Sequence, residues 1–423
     1  MERFISILGI ISLLALALYL SPSPKRINKK LVLWGLGLQI ALGLLIIGIP
    51  ALGFEGPLRF FFDAANNFIV AVIGFTNKGS EFVFGSLMNV KSNGFIFAFQ
   101  VLPTIIFFSS FMSVLYHLGV MQKVIHFMAL IMSKTMGTSG AESLSMAANV
   151  FVGQTEAPLV VKPYVAKMTE SELFTLMTGG MATVAGGVLA AYVGLLKDAV
   201  PGIGGHLLTA SFMSAPAALI FAKILLPETK TPVTLNYLPK SSGEKPHRNV
   251  IEAAAAGASD GLKMALNVAA MLLAFIALIA LLNSIFAWAG ELYYSAMGTT
   301  STTPFSFQML LGWVFSPLAW LMGIPLKEAT IAGGLLGEKV VLNEFVAYVH
   351  MGQLTDQLSE RSLIILSYAL CGFANFSSIA IQIGGIGEIA PGRKSDLAGF
   401  GIRAVIGGSF AAFMTACIAG ILI

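Results

Sequence analysis

The sequence predicts an all-α polytopic membrane protein: eight transmembrane helices plus two re-entrant hairpins and interfacial helices, arranged as an inverted repeat. Three observations carry this reading. Only 11% of the 423 residues are charged and 56% are hydrophobic, whereas soluble domains carry roughly 25% charged residues. Several uncharged runs reach the ~20 residues that a helix needs to cross a bilayer. Two polar, half-length segments, around "GQTEAP" and "NEFVAY", recur at matching places in the two halves of the chain. The net charge of +4 belongs to loop lysines and arginines and gives no sign of nucleic acid binding. Cys371 and Cys417 lie in apolar runs and read as packing residues, with no disulfide or metal pair expected.

The first apolar run, Phe4 to Leu20, resembles a signal peptide in length alone. Glu2 balances Arg3 ahead of it and "KRINKK" follows it, the opposite bias from a cleaved leader. It reads as a first span with the N-terminus outside. Basic residues mark cytoplasmic loops, so this span runs inward to Lys25, Arg26, Lys29 and Lys30. Leu31 to Leu52 returns outward, and Gly94 to Val120 comes back in. "MQKVIHFMALIMSK" then groups Gln122, Lys123, His126 and Lys134 against Val124, Ile125, Met128 and Ile131. That pattern suits an amphipathic helix in the interface.

Ser139 to Met168 is not a span. Its apolar arms on either side of "GQTEA" are about ten residues each, and ten helical residues rise about 15 Å, half the hydrocarbon core. This predicts a re-entrant hairpin, entering from the cytoplasm beside Lys134, Lys162 and Lys167, with its tip near mid-membrane. Glu172 to Leu196 is a span interrupted by "GGMATVAGG", and Leu207 to Leu226 is an intact one. The linker "PETKTPVTLNYLPKSSGEKPHRN", with Lys230, Lys240, Lys245 and Arg248, is a cytoplasmic connector. Gly261 to Trp288 exits to the polar outer loop "GELYYSAMGTTSTTPFSFQ".

The second half repeats the order. Ala332 to Leu354 has short arms around a polar tip and is flanked by Asp356 and Glu360, which suits insertion from outside. Ser362 to Ile389 is broken at "GFANFSS" and ends at the basic loop "PGRK"; Gly401 to Ile423 leaves the membrane, so the C-terminus is outside. This trace requires Met309 to Ile324 to lie in the interface. The expected divisions are residues 1–120 (peripheral and scaffold helices), 121–226 (first repeat), 227–249 (linker), 250–308 (central scaffold helix and outer loop) and 309–423 (second repeat). Inverted repeats place a substrate site at the midplane, where the discontinuous helices meet.

Glu156 and Glu344 stand at equivalent tips. A carboxylate at bilayer depth costs at least ~2.5 kcal/mol, so two at matching places point to function. The alternatives are that they cap hairpin ends or pair with lysines, but no basic residue adjoins either, and Lys162 and Lys339 lie out along the arms. Hydrolysis by paired carboxylates would need a nucleophile or metal ligands nearby, and the sequence supplies none. Asn375, Ser377 and Ser378 either glue helices together or bind substrate. The "GGMATVAGG" carbonyls and Thr183 are hard ligands suited to a small cation, or the glycines serve close packing; Asn149 offers a further side-chain oxygen. "GIGEIAPGRKS" resembles a phosphate loop, but Arg393 stands where the lysine belongs and the setting is a helix end. The five histidines (117, 126, 206, 247 and 350) share no ligand spacing and read as interfacial or satisfied core residues.

With tips "GQTEAP" and "NEFVAY" and the broken span "CGFANFSS", the chain resembles the concentrative nucleoside transporters over nearly its whole length; "FVFGSL", "LYHLGVMQ" and "FVGQTEAPLV" are similar to bacterial members. The resemblance implies no enzyme but a homotrimeric symporter of the elevator type in the inner membrane, in which a transport domain carries nucleoside past a fixed scaffold. It implies that Gln154, Thr155 and Glu156 recognise the nucleobase, that Gly153 permits close approach, and that Val188 packs on the base. Glu344, Asn375 and Ser378 would bind the ribose, with Phe373 nearby. Sodium would be held by Asn149, the carbonyls of Val152 and Val184, and Thr183. "GQTEAP" favours sodium over the proton coupling of some relatives, which stands as the alternative; a channel or an intramembrane hydrolase is a remoter one.

Overall fold

The computed structural model describes residues 2–239, 247–297 and 305–423. Lys240 and Lys245 of the linker, and residues 298–304 of the outer loop, lie outside the described residues. The fold is all-α. Gly48–Ile49 pairs with Phe54–Glu55 in the one short β-bridge among the described residues.

Eight helical stretches among the described residues are long and apolar enough to cross a membrane. The number agrees with the sequence reading, but the set differs. Arg59–Phe84, to which the sequence reading gave no span, is a 26-residue helix. Its buried residues Phe62, Ile69, Val72, Ile73, Thr76 and Ser80 recur at helical spacing. Asp63, Asn67, Asn77, Lys78 and Glu81 between them break up any uncharged run, and Asn66, on the buried face, accepts from Gly204 N at 3.0 Å. Conversely, the expected span 362–389 is two helices, Glu360–Leu370 and Phe376–Ile389.

Each repeat is hairpin, broken span, intact span. In the first, the hairpin is Gly140–Asn149, a tip over 150–156, and two short turns, Ala157–Val160 and Lys162–Val165. The broken span is Glu170–Ala182 and Gly186–Leu196, and the intact helix is Ile203–Leu225. In the second, the hairpin is Leu326–Val341 and Glu344–Gln353, and the intact helix is Lys394–Leu422. This hairpin begins six residues before the expected Ala332. The segment expected to lie in the interface is the helix Phe307–Leu321, which meets Leu326–Val341 at a bend of 117°. Gly323, at φ +90°, and Pro325 make the corner. A left-handed glycine followed by a residue that cannot continue a helix is a common terminator.

The feet of the elements are tied by capping chemistry. Ser139 and Thr169 start the first hairpin and the first broken span in reciprocal capping boxes with Glu142 and Glu172. Ser139 Oγ also donates to Glu172 Oε1 at 2.6 Å, joining the two. Buried Glu142 pairs with Lys223 of the intact helix. In the second repeat, Glu328 accepts from Ser359 N at 3.0 Å and Ser359 Oγ at 2.9 Å, and Ser359 caps Glu360–Leu370. In both repeats a serine–glutamate contact thus ties the hairpin's start to the broken span, with the glutamate on the broken span in the first repeat and on the hairpin in the second. The linker completes the first foot: Thr234 Oγ1 accepts from Ala141 N at 3.0 Å, and Thr234 O from Gly140 N at 2.9 Å.

One long helix, Val250–Ala296 with 47 residues, spans about 70 Å at 1.5 Å per residue. It packs on Leu102–His117 through Gly257 and Gly261. A Cβ on Gly261 would stand 2.7 Å from Ile106 Cα, and one on Gly257 2.8 Å from Ser110 Cα, so only glycine lets these backbones approach. Most of the rest of its surface is apolar and exposed, including Leu266, Leu273, Leu281 and Trp288. Helix Val120–Met136 is amphipathic as expected, burying Met121, Ile125, Ala129, Met132 and Met136 on one face.

Candidate functional site

The two broken spans touch at their breaks. Phe373 N donates to Thr183 O at 3.2 Å. A Cβ on Gly372 would meet Met181 O at 2.9 Å and Ala182 O at 3.0 Å. Half-helices that end at a crossing leave unpaired N–H and C=O groups there, and both hairpin tips turn toward the same place. The result is a cavity of about 660 Å³, a size suited to a small organic ligand. All nine residues expected to bind substrate line it: Gly153, Gln154, Thr155, Glu156, Val188, Glu344, Phe373, Asn375 and Ser378. The long helix closes the remaining side with Asp260, Lys263, Asn267 and Leu272.

Glu344 is the first residue of helix Glu344–Gln353, behind the cap Asn343, whose side chain accepts from Val346 N at 2.9 Å. A carboxylate there faces the positive end of the helix. Asn375 caps Phe376–Ile389 through Ser378 N at 2.9 Å and donates Nδ2–H to Glu344 Oε2 at 3.0 Å. Tyr192 OH donates to Glu344 Oε1 at 2.9 Å. Glu344 is buried, but each oxygen keeps lone pairs for hydroxyl donors from a ligand. Gln154 Nε2 reaches across to Ser378 Oγ at 3.1 Å, joining the first tip to the second broken span.

The two tip glutamates are not equivalent in environment. Glu344 is 4% exposed, whereas Glu156 is exposed and lines the cavity, and its carboxylate makes no hydrogen bond to a described residue. Lys339 also departs from expectation. The chain doubles back at Leu342 and Asn343, so this fully buried lysine points inward, donating to Ala369 O at 2.7 Å and lying 5.4 Å from the Phe413 ring centroid. Lys162, by contrast, is exposed on its arm.

Asn149 is 1% exposed, and neither atom of its side-chain amide has a partner. An orphaned buried amide is costly unless something binds it. The Val152 and Val184 carbonyls accept no hydrogen bond from a described residue. Thr183 Oγ1 spends its proton on Gly179 O at 3.1 Å, which leaves oxygen lone pairs. This set of neutral oxygens fits a small hard cation. Gly179 permits the approach, since a Cβ there would lie 3.3 Å from Asn149 Nδ2. Among the described residues no cluster of three His, Cys, Asp or Glu side chains could hold a metal.

Sequence reasoning missed Tyr192 and Gln382, both fully buried. The signal for Tyr192 was present: it lies one helical turn after Val188, on the same face. Two histidines have satisfied roles, His350 Nδ1 with Glu338 at 2.9 Å and His206 Nδ1 with Tyr368 OH at 3.2 Å. Arg393, of the false phosphate loop, donates to Met168 O at 2.6 Å.

Three family models match the chain: "Na+ dependent nucleoside transporter N-terminus" over residues 8–87, "Nucleoside recognition" over 98–199, and "Na+ dependent nucleoside transporter C-terminus" over 206–420. An uncharacterized transporter of Haemophilus influenzae is 47% identical, covering 99% of this chain and 97% of that protein. Solute carrier family 28 member 3 of Mus musculus is 42% identical over 100% of this chain, which spans 59% of the mouse protein. Among solved structures, CNTnw in an inward-facing substrate-bound state superposes with a TM-score of 0.90 at 45% identity, covering 100% of this chain and 98% of that one. A CNTnw variant in an outward-facing state gives 0.90 at 46%, covering 100% and 99%.

Proposed function

The chain belongs to the concentrative nucleoside transporter family, and from that premise we propose that it is a symporter that imports nucleosides down a sodium gradient. The observation that carries this is the single cavity in which both hairpin tips and both helix breaks meet, with Glu344 held between Tyr192 and Asn375. Glu344, Asn375 and Ser378 take the ribose, whose hydroxyls suit a carboxylate that only accepts, beside an amide and a hydroxyl that do both. Phe373 lies beside it. Gln154, Thr155 and Glu156 take the nucleobase edge, Gly153 lets the backbone approach, and Val188 packs on the ring. A neutral, donor- and acceptor-rich solute matches a wall with amides, hydroxyls and carboxylates.

Sodium is the co-substrate in this reading, held by Asn149, Thr183 and the carbonyls of Val152 and Val184. The orphaned Asn149 amide supports it. Because Asn149 and Val152 flank the tip that carries Gln154 to Glu156, a bound cation stiffens the nucleobase subsite, which is the coupling a symporter needs. The two repeats move as a transport domain past the long helix in an elevator-type cycle. The exposed apolar surface of that helix and of Arg59–Phe84 is in keeping with lipid contact and a homotrimer in a bacterial-type inner membrane, with both termini outside.

The test is uptake of labelled uridine by proteoliposomes. Accumulation above equilibrium with a sodium gradient, abolished when sodium is equal on both sides, is the expected result. Equal drive from a pH gradient would favour proton coupling instead, and downhill flux alone would reject active transport.

A further inference from the structure

Behind the cavity wall, a second amide stands against Gln154. Gln382, on the half-helix Phe376–Ile389, is fully buried. Its Nε2 lies 3.0 Å from Met177 O and 3.0 Å from Gln154 Oε1. A backbone carbonyl can only accept, so Met177 dictates that Gln382 turns its NH2 end to this wall. Reversing the amide would set its oxygen against two acceptors. The Gln382 oxygen has no partner among the described residues, so the orientation is imposed from the donor side.

The constraint passes on. Gln154 must meet the Gln382 NH2 group with its oxygen, and its planar amide then turns Nε2 toward Ser378, 3.1 Å away. Ser378 Oγ accepts from Gln154, so its own O–H is free to donate into the cavity. Gly180 makes the arrangement possible, since a Cβ there would stand 2.8 Å from Gln382 Nε2 and 2.9 Å from Gln154 Cβ.

We propose that Gln382 is a specificity-determining positioning residue: anchored on the Met177 carbonyl, it holds Gln154 so that this amide offers the nucleobase an N–H donor and never its oxygen. The inference rests on the nucleoside reading above and adds to it a class of base. A donor at Gln154 beside the acceptor-only carboxylate of Glu156 complements a base edge that pairs a carbonyl oxygen with a ring N–H. Uracil and hypoxanthine have that edge. Cytosine and adenine present an amino group beside a bare ring nitrogen, the reverse polarity.

The test compares binding of uridine with cytidine, and of inosine with adenosine, in sodium buffer for the full-length protein and for Gln382→Met, which keeps the volume and removes the donor. Wild type should favour the carbonyl-bearing member of each pair. Gln382→Met should bring each ratio at least threefold closer to one. If Gln382→Met does not fold, Gln382→Glu preserves the shape, and its carboxylate draws Gln154 Nε2 toward itself; the ratios should move the same way. A wild type that prefers cytidine and adenosine, ratios that do not move, or one equal loss for all four nucleosides would each overturn the proposal. A wild type that binds none of them would remove the nucleoside reading itself, and this inference with it.

Discussion

Tyr192 and Glu344 belong to opposite repeats, and the Tyr192 hydroxyl donates to Glu344 Oε1 at 2.9 Å from a fully buried position. The ring is fixed in turn against Tyr348 and Phe345, at centroid distances of 4.2 and 5.2 Å. Tyr192→Phe keeps that packing and removes one hydrogen bond to a charged group, worth roughly 1.5–3 kcal/mol. We expect uridine affinity to fall at least tenfold, and the melting temperature to fall as well, since a buried carboxylate oxygen loses its donor. An isothermal titration that finds wild-type affinity in this variant would show that Tyr192 does not position Glu344.

Asn149 makes a separate prediction, because its amide has no partner among the described residues. Asn149→Ala should raise the sodium concentration needed for half-maximal uridine binding by at least tenfold. Uridine affinity should recover in part at high sodium. Titration of binding against sodium, at constant ionic strength with choline as the replacement, reads this directly. An unchanged sodium midpoint would remove Asn149 from the cation site.

Lys223 and Glu142 give a stability prediction. Their side chains are 7% and 2% exposed, and Lys223 also donates to Ser171 Oγ at 2.9 Å. Removing one member of a buried pair leaves an uncompensated charge, at a cost of about 3–5 kcal/mol. Lys223→Met should therefore lower the melting temperature in detergent, and the double variant Glu142→Gln, Lys223→Met should regain most of the loss. If the double variant melts no higher than the single one, the pair is not coupled.

The fold was legible where polarity interrupts an apolar run. The tips at Gln154 to Glu156 and at Glu344, and the breaks at Thr183 and Asn375, all stand out as hydrogen-bonding groups in a segment that should lack them. Arg59–Phe84 was not legible by that rule, since its apolar residues form a stripe with charged and amide residues between them. Its period, not its mean hydropathy, was the usable signal. The bend at Gly323 and Pro325 was not read from the sequence, and its 117° angle depends on packing against the first arm of the hairpin. Tyr192 and Gln382 escaped for one reason: each acts on a cavity residue across a helix crossing, and no sequence spacing reports which elements cross. Glu142 and Glu328 were equally hidden, because a glutamate in a first helical turn is ordinary until its partner across the foot is known.

The charge balance of the cavity has an electrical consequence. The formal charges of Lys339 and Glu344 cancel, and Asp260 and Lys263, on the long helix, offset each other at 3.3 Å. Glu156 remains. In the elevator cycle proposed above, an empty carrier that swings this cavity across the bilayer moves about one negative charge, and a single monovalent cation cancels it. A potential negative inside then drives the outward return of the empty form, at about 2.3 kcal/mol per charge per 100 mV, and leaves the loaded inward stroke nearly indifferent to voltage. We expect transient currents from the unloaded protein after a voltage step, lost in Glu156→Gln; a voltage-silent empty form would contradict this.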